Sequence, residues 1–547
     1  MAHDEISQGT LQAATPEAPV VPGQARDQLE IEGEGDRDPD ENIIYPKGLK
    51  LWLSMTSVIL SVVFVGLDLT IVAVAVPSLT NQFKTVQDIG WYSAAYMVIL
   101  SSFTFLYAQL STIFSIKRLF LLSIFVFQLG SLLCTIAPVS AVFILGRAIA
   151  GLGSCGLNIG GFVIIAHSFP RHKRPLWTGL ASALNGTAMV LAPLIGGLLI
   201  DAFSWRACFG INLPLGVLTF VLTAYGFRDP AEEPYPDATF LEKLKKLDVL
   251  GTVFFVPGIV CLLLGLQWGG VKYGWNNPII IVLFILFAVF VAVFSYIQYR
   301  KQEKATLPPR ILKQRSVLAG AWFSACCNGI LAVTEYYLAI YFQGVKGFSA
   351  SKSGAMGLPL MVGFCVAELL ASTFTTIIGY YYPFMLGTSV IAPVAAGLLT
   401  TLDLDESIVK VLCLLGMLGA AVGLGMQGPI LAVQTVLPLK DIATGLAVTG
   451  FAGGLGSSFF ISVSSTLFQN RLAEEVEKYA PGTNTTAFEH GGLANVRDYI
   501  GADRLRDVLL GYDKAVMQTL YLPVALAALT IVGSLAMERK SVKKKQS

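Results

Sequence analysis

The chain is short of charge. Asp, Glu, Lys and Arg make up 14% of its 547 residues, where a soluble chain carries about 25%. Hydrophobic residues reach 54% and mean hydropathy is +0.65. A soluble fold cannot hide that much apolar surface, because its outer layer must be polar. Other absences narrow the field. No GxxxxGK[ST] phosphate cradle is present, so direct ATP-driven pumping is disfavoured. No HExxH, no GxSxG and no paired-Cys metal site occurs, and no loop is long enough for a catalytic domain. The eight Cys (134, 155, 208, 261, 326, 327, 365 and 413) all lie in or beside apolar runs. They read as small apolar residues, with no cofactor or metal implied. A net charge of +2 gives no reason to propose nucleic acid as a partner. An enzyme is therefore the least favoured class.

What is present is a succession of apolar runs. Crossing the hydrocarbon core takes about 20 apolar residues. By that ruler spans fall near 51–77, 90–114, 119–138, 140–167, 174–200, 207–227, 249–269, 278–299, 316–343, 353–378, 381–402, 408–437, 441–468 and 514–537, fourteen in all. The expectation is an all-α polytopic membrane protein. Residues 1–48 form an acidic tail that reads as disordered, with eleven acidic and two basic residues before position 47. No basic n-region precedes an apolar h-region, so span 1 is expected to serve as its own insertion signal.

An even number of spans puts both ends on one side, and Lys and Arg choose it. With the N-terminus inside, the inner breaks hold Lys117 and Arg118, then Arg171, Lys173 and Arg174, then Arg228, Lys243, Lys245 and Lys246. Arg300 to Arg315 and the tail 539–547 continue the bias. Both termini are therefore expected in the cytoplasm. The segment 469–513 reads as one long outer loop, and Asn484-Thr485-Thr486 within it as a glycosylation acceptor. Phe240 to Leu250 reads either as an interfacial helix, with Leu241, Leu244 and Leu247 on one face, or as a solvated connector.

Ionisable residues inside spans are costly, about 2.5–3.5 kcal/mol each at a helix centre even on an insertion scale. Four stand out as candidates for proton coupling: Asp68, Arg147, Glu335 and Glu368. At about 1.5 Å of rise per residue, Asp68 lies roughly 14 Å and Arg147 roughly 10 Å from the outer face, so they pair if spans 1 and 4 are neighbours. Ser154 and Asn158 continue a polar stripe from Arg147. Glu335 sits among Tyr336, Tyr337, Tyr341 and Gln343, a setting for an amphipathic or cationic molecule. These six polar and aromatic neighbours are the candidate substrate-cavity residues. Glu368 lies near the midplane, where a carboxyl among Val366, Ala367 and Leu369 can exchange a proton. The alternative for all four is that they fix helix packing by mutual pairing. Glycines crowd spans 4, 5, 12 and 13 and allow close approach. LGRAIAGLGSCG in span 4 and LGMLGAAVGLGMQG in span 12 echo each other, a hint of two repeated halves.

These residues resemble a known family. LDLTIVAVAVPSL (67–79), GRAIAGLGSCG (146–156) and NGTAMVLAPLIGG (185–197) are similar to the span-1, span-4 and span-5 motifs of the major facilitator superfamily. Within it, the match is to the fungal fourteen-spanner drug:proton antiporters. The resemblance covers roughly residues 50–540. It implies the major facilitator fold: a six-helix bundle over 49–228, a linker with two extra spans over 229–315, and a second six-helix bundle over 316–538. It further implies an antiporter motif at Gly186, Pro193, Gly196 and Gly197. The loop between spans 2 and 3 departs from the pattern, with Thr112 where an acid is expected, and Ala192 replaces the Gly that normally precedes Pro193.

The function implied is proton-coupled export of amphipathic organic molecules (drugs, toxins or fungal secondary metabolites) by alternating access. The partners expected are that substrate, protons and the bilayer, with the protein a monomer in the plasma membrane or, alternatively, the vacuolar membrane. A siderophore or vacuolar basic amino-acid carrier of the same fold is the first alternative, and a non-transporting sensor the second.

Overall fold

The computed structural model describes residues 45–85, 88–229, 239–270, 272–302, 305–404, 406–481 and 502–543. The chain divides into two units, Met1–Ile44 and Tyr45–Ser547, and the described residues all belong to the second. Most of the acidic tail, the Asn484 acceptor and the last four residues thus lie outside the described residues.

Fourteen helices are long and apolar enough to cross a bilayer. They are α1 (Leu49–Phe83), α2 (Gly90–Ile113), α3 (Ile116–Ile136), α4 (Ser140–Ser168), α5 (Arg171–Ala202), α6 (Trp205–Gly226) and α7 (Val249–Trp268). The rest are α8 (Pro278–Lys301), α9 (Arg315–Val345), α10 (Lys352–Ile378), α11 (Tyr382–Leu399), α12 (Ile408–Val436), α13 (Leu439–Tyr479) and α14 (Arg504–Ala536). No β-strand occurs among the described residues. The helical form follows from the solvent: a backbone in hydrocarbon must satisfy every N–H and C=O within its own segment.

Two expectations about length are corrected. α1 runs through Pro77 to Phe83, and the described parts of 469–513 are largely helical. Residues 469–479 prolong α13, and α14 begins at Arg504. The polar residues there hid helices that project beyond the apolar stretch, which hydropathy alone does not register.

The helices pair in two matching sets. In the first, α1 packs on α5 and α6, α2 on α4, and α3 on α4 and α6. In the second, α9 packs on α13 and α14, α10 on α12, and α11 on α12 and α14. Each contact in one set has its counterpart eight spans later, so the chain is two six-helix bundles of one design. α7 and α8 pair with each other as the linker spans, and α7 leans on α2 and α13. Phe255 of α7 meets Phe105 of α2 at 5.2 Å and Phe451 of α13 at 5.7 Å.

Glycine makes these approaches close. A Cβ on Gly151 would stand 2.5 Å from the Tyr96 carbonyl oxygen, and one on Gly419 would run into the Leu360 carbonyl. Without a hydrophobic force between helices in lipid, such small faces let backbones touch and gain dispersion energy.

Polar contacts sort the connections onto two faces. On the face where α1 begins, the N-face, Arg174 Nη1 donates to the Gln434 carbonyl at 3.2 Å and Arg310 pairs with Asp441 at 2.8 Å. The Asp229 carboxylate, just past α6, accepts from Ser115 Oγ and, at 3.0 Å, from the Lys117 N–H. An acid from the end of α6 thus stands at the α2–α3 turn, where Thr112 left the motif without one. On the opposite face, Trp205 Nε1 donates to Gln82 at 2.7 Å and Lys514 pairs with Asp403 at 2.6 Å.

Phe240–Lys245 is a short helix, opened by a reciprocal cap between Thr239 and Glu242. Leu241 on it is exposed. Asp248 caps α7 and gathers the linker. Its carboxylate accepts from the Gly251 N–H (2.8 Å), Gln298 Nε2 (2.8 Å), Lys301 Nζ (2.7 Å) and Thr306 Oγ1 (3.1 Å).

Candidate functional site

In the first bundle, α1 and α4 are neighbours and bring Asp68 and Arg147 together. Arg147 Nη1 lies 2.6 Å from Asp68 Oδ2, with both side chains 1% exposed. Nη2 donates to the Asp68 carbonyl at 3.3 Å and Nε to the Tyr92 carbonyl at 3.0 Å. The second Asp68 oxygen accepts from Asn212 Nδ2 at 3.0 Å, and the Tyr96 ring lies 4.5 Å from the guanidinium. Every guanidinium nitrogen and both carboxylate oxygens are engaged. Such a pair can brace four helices, α1, α2, α4 and α6, and offers no vacant valence for cargo.

The second bundle lacks this brace. α9 is the counterpart of α1 and carries Glu335 at nearly the depth of Asp68, counted from each helix start. α12 is the counterpart of α4, and its one basic residue, Lys410, pairs with Glu406 at 2.6 Å. Among the described residues nothing bonds to the Glu335 carboxylate, which is exposed. Its direction follows from helix geometry. Asn328 and Ala321 lie seven and fourteen residues before it, on one stripe at about 100° per residue. Ala321 packs into the cluster that joins the bundles at the N-face: Ile159, Val163 and Ala166 of α4 with Val433 of α12, Leu437 just past it, and Ile442 and Leu446 of α13. Glu335 therefore looks into the space between the bundles, above that closure. On α4, Asn158 stands one turn above Phe162, which packs in the same cluster. Asn158 is half-buried, as is Asn328, which the sequence reading missed although its seven-residue spacing from Glu335 was visible.

Several cavity candidates lie in other surroundings. Ser154 is buried and accepts from Tyr96 OH at 2.5 Å. Tyr337 and Tyr341 are buried in the core of the second bundle, Tyr337 against Phe468 at 5.3 Å. Tyr336 is 49% exposed but shares the stripe of Leu318 and Trp322, exposed apolar residues of the kind a bilayer covers. Consecutive helical residues diverge by about 100°, so one run of aromatics cannot line one wall. Gln343, in a π-turn at the end of α9, is half-buried and reaches Ser353 Oγ at 3.5 Å.

Glu368 is buried on α10. Gln427 Nε2 donates to its Oε1 at 2.5 Å, while Oε2 and the Gln427 Oε1 are buried without a partner. Gln427, also missed from sequence, stands at a break in α12, between the helices Ile408–Met426 and Gly428–Val436. Pro429 brings no N–H to the helix ladder there. The motif glycines divide by role. A Cβ on Gly186 would stand 2.8 Å from Cys365 Sγ of α10, and one on Gly196 2.8 Å from Ile71 of α1. One on Gly197 would meet nothing, and Pro193 lies within α5.

Known proteins share this architecture. The profile of the Major Facilitator Superfamily matches residues 58–297. The chain is 42% identical over 506 residues to "MFS-type efflux pump MFS1" of Trichophyton rubrum, covering 92% of this chain and 94% of that one. It is 43% identical over 486 residues to "Efflux pump roqT" of Penicillium rubens, covering 89% and 90%. It is 37% identical over 500 residues to "MFS thioclapurine efflux transporter tcpA" of Claviceps purpurea, covering 91% and 92%. Among solved structures, the human organic anion transporter MFSD10 (TETRAN) aligns with a TM-score of 0.55 at 12% identity, covering 88% of this chain and all of that one. That likeness concerns the fold alone. With two matching bundles, fourteen spans and relatives that are transporters rather than enzymes, the chain belongs to the major facilitator superfamily, among its fungal efflux transporters.

Proposed function

We propose that this protein exports small amphipathic organic molecules (drugs, toxins or secondary metabolites) in exchange for protons, by alternating access between its two bundles. The observation that carries the reading is Glu335, an acid without a partner among the described residues, in the space between bundles that are packed together at the N-face. An unpaired carboxyl there can hold either a proton or a cationic cargo, and that exclusivity is what antiport requires. The efflux names of the relatives support the direction of transport. Basic residues on the N-face support a cytoplasmic N-terminus, with export across the plasma membrane. The limits 49–228, 229–315 and 316–538 serve as the working division into moving parts, in a monomer.

Energetics agree. A pH gradient supplies about 1.36 kcal/mol per unit, and the membrane potential about 2.3 kcal/mol per charge per 100 mV. The test is uptake of fluorescent amphipathic cations into proteoliposomes under an imposed pH gradient. Accumulation should vanish when an ionophore collapses the gradient. Uphill transport that ignores the gradient refutes proton coupling.

A further inference from the structure

Past α14 the chain turns back onto the second bundle. Met537 and Val542 are buried in that bundle's core. The Val542 N–H donates to the Gly379 carbonyl at 2.8 Å, and Ser541 Oγ donates to the same oxygen at 3.1 Å. Lys543 Nζ donates to the Ile377 carbonyl. These carbonyls stand at the end of α10, which closes on Gly379 at a φ of 92°. The last carbonyls of a helix have no partner within it, and its dipole leaves that end negative. The tail thus brings α10 the donors and the cation it lacks. Upstream, Tyr381 Oη donates to the Glu538 carbonyl at 3.1 Å, and the Glu538 N–H donates to Ser316 Oγ at 3.4 Å. The Arg539 guanidinium lies 4.9 Å from the Tyr382 ring. Residues 537–543 therefore clasp the N-face ends of α9, α10 and α11.

Ser541 works twice in this clasp. Its hydroxyl donates to the Gly379 carbonyl and accepts from the Lys543 N–H at 3.1 Å. Around it the sequence reads Arg539-Lys540-Ser541-Val542-Lys543-Lys544-Lys545. A serine with bases on both sides and an apolar residue next to it suits the basic-directed class of serine kinases, whose acidic clefts complement such a peptide. Arg539, Lys540 and Lys543 are exposed and Ser541 is half-buried. The hydroxyl is therefore reached when the stretch lifts off, and a short segment held by few bonds opens at low cost. Once phosphorylated, it cannot seat as before. The ester oxygen has no proton to give Gly379. A charge of about −1.5 to −2 would face carbonyl oxygens at the negative end of α10. The phosphate would also compete with the Ile377 carbonyl for Lys543.

We propose that Ser541 is a phosphorylation site and that its phosphate unseats residues 541–543 from the end of α10. The Ser541 oxygen bonds to the γ-phosphorus of kinase-bound ATP, the bond from that phosphorus to ADP breaks, and the hydroxyl proton leaves to the kinase's base. α10 packs on α5 across the seam between the bundles, so the modification frees the N-face end of a seam helix. This rests on the cytoplasmic N-face proposed above, the side on which ATP and kinases are found.

The experiment treats the full chain in nanodiscs with ATP and the catalytic domain of protein kinase C, a basic-directed serine kinase. Peptide mass spectrometry should find phosphate on Ser541, and total incorporation should fall in Ser541→Ala. Hydrogen–deuterium exchange over residues 539–543 should then accelerate about tenfold, the order of one lost hydrogen bond. Ser541→Asp should accelerate exchange without kinase, and Ser541→Ala should leave it closer to the parent than Ser541→Asp does. Absence of phosphate from Ser541, or phosphate there with unchanged exchange, overturns the proposal. In sealed vesicles of known sidedness, kinase added outside should label Ser541 only where the cytoplasmic leaflet faces out. Labelling from the opposite side alone, with exchange still accelerated in nanodiscs, would overturn the orientation and not the clasp.

Discussion

Arg147 closes on Asp68 at 2.6 Å with both side chains removed from solvent, while Glu335, the acid at the matching position of the second bundle, has no such partner among the described residues. The repeat has thus been built once with its charge neutralised and once without. That asymmetry separates a structural acid from one free to act, and it orders the expectations that follow.

Neutralising one member of the buried pair strands the other. Asp68→Ala should destabilise the protein by about 3–5 kcal/mol and lower its thermal midpoint in detergent. The double variant Asp68→Asn with Arg147→Gln should recover much of the loss. An unchanged midpoint in the single variant would show that the pair is not a brace.

Glu335→Gln should fold normally, because an exposed, unpaired side chain contributes within about 0.5 kcal/mol to stability. Export of cationic cargo should fall at least about tenfold, equivalent to roughly 1.4 kcal/mol of lost interaction. Equal transport by variant and parent at every pH would remove Glu335 from the mechanism.

Adjacent tyrosines should behave differently. Tyr337→Ala empties a buried site against Phe468 and should cost about 3 kcal/mol or more. Tyr336→Ala, on the exposed stripe, should change the thermal midpoint little. Comparable losses would contradict the assignment of faces.

Among glycines, Gly419→Leu should prevent α10 and α12 from meeting, at a cost of about 1–3 kcal/mol or more, and should reduce the yield of monodisperse protein. Gly197→Ala has open space and should be neutral. A Gly197 variant as damaged as the Gly419 one would refute the packing.

Asp248 carries the pH signature of the linker. Burial pushes its carboxyl up, but Lys301, the Gly251 N–H, Gln298 and Thr306 outweigh that and hold it below the ordinary carboxylate range. Its contribution is therefore complete above the unfolded value of about 3.9 and fades as pH falls through the lower folded value. Asp248→Asn should lower the thermal midpoint at pH 7, and the difference should shrink on acidification. A gap that widens towards acid would reverse the sign.

Much of the architecture was legible before any coordinates. Fourteen spans, a hint of repeated halves and the matching heights of Asp68 and Arg147 could be read from apolar run lengths, helical rise and a weak echo between spans 4 and 12. The helical ends of α13 and α14 were not, because their polar residues carry no hydropathy signal. The settings of Ser154, Tyr336, Tyr337 and Tyr341 were not legible, since the order of residues does not say which face of a helix meets a neighbour. Gln427 stayed hidden because an uncharged amide in an apolar helix has no mark until its partner 59 residues away is located.

The amino-acid order alone determined that this chain lives in a bilayer as fourteen helices, because transfer into hydrocarbon is a sum over local residues and the backbone has no other way to satisfy itself there. Only the packed fold decided which charge within the spans is spent on bracing and which remains free, because that depends on which side chains from helices distant in sequence come within a few ångströms of each other. Arg147 reaches Asp68 across 79 positions and, among the described residues, nothing bonds to Glu335.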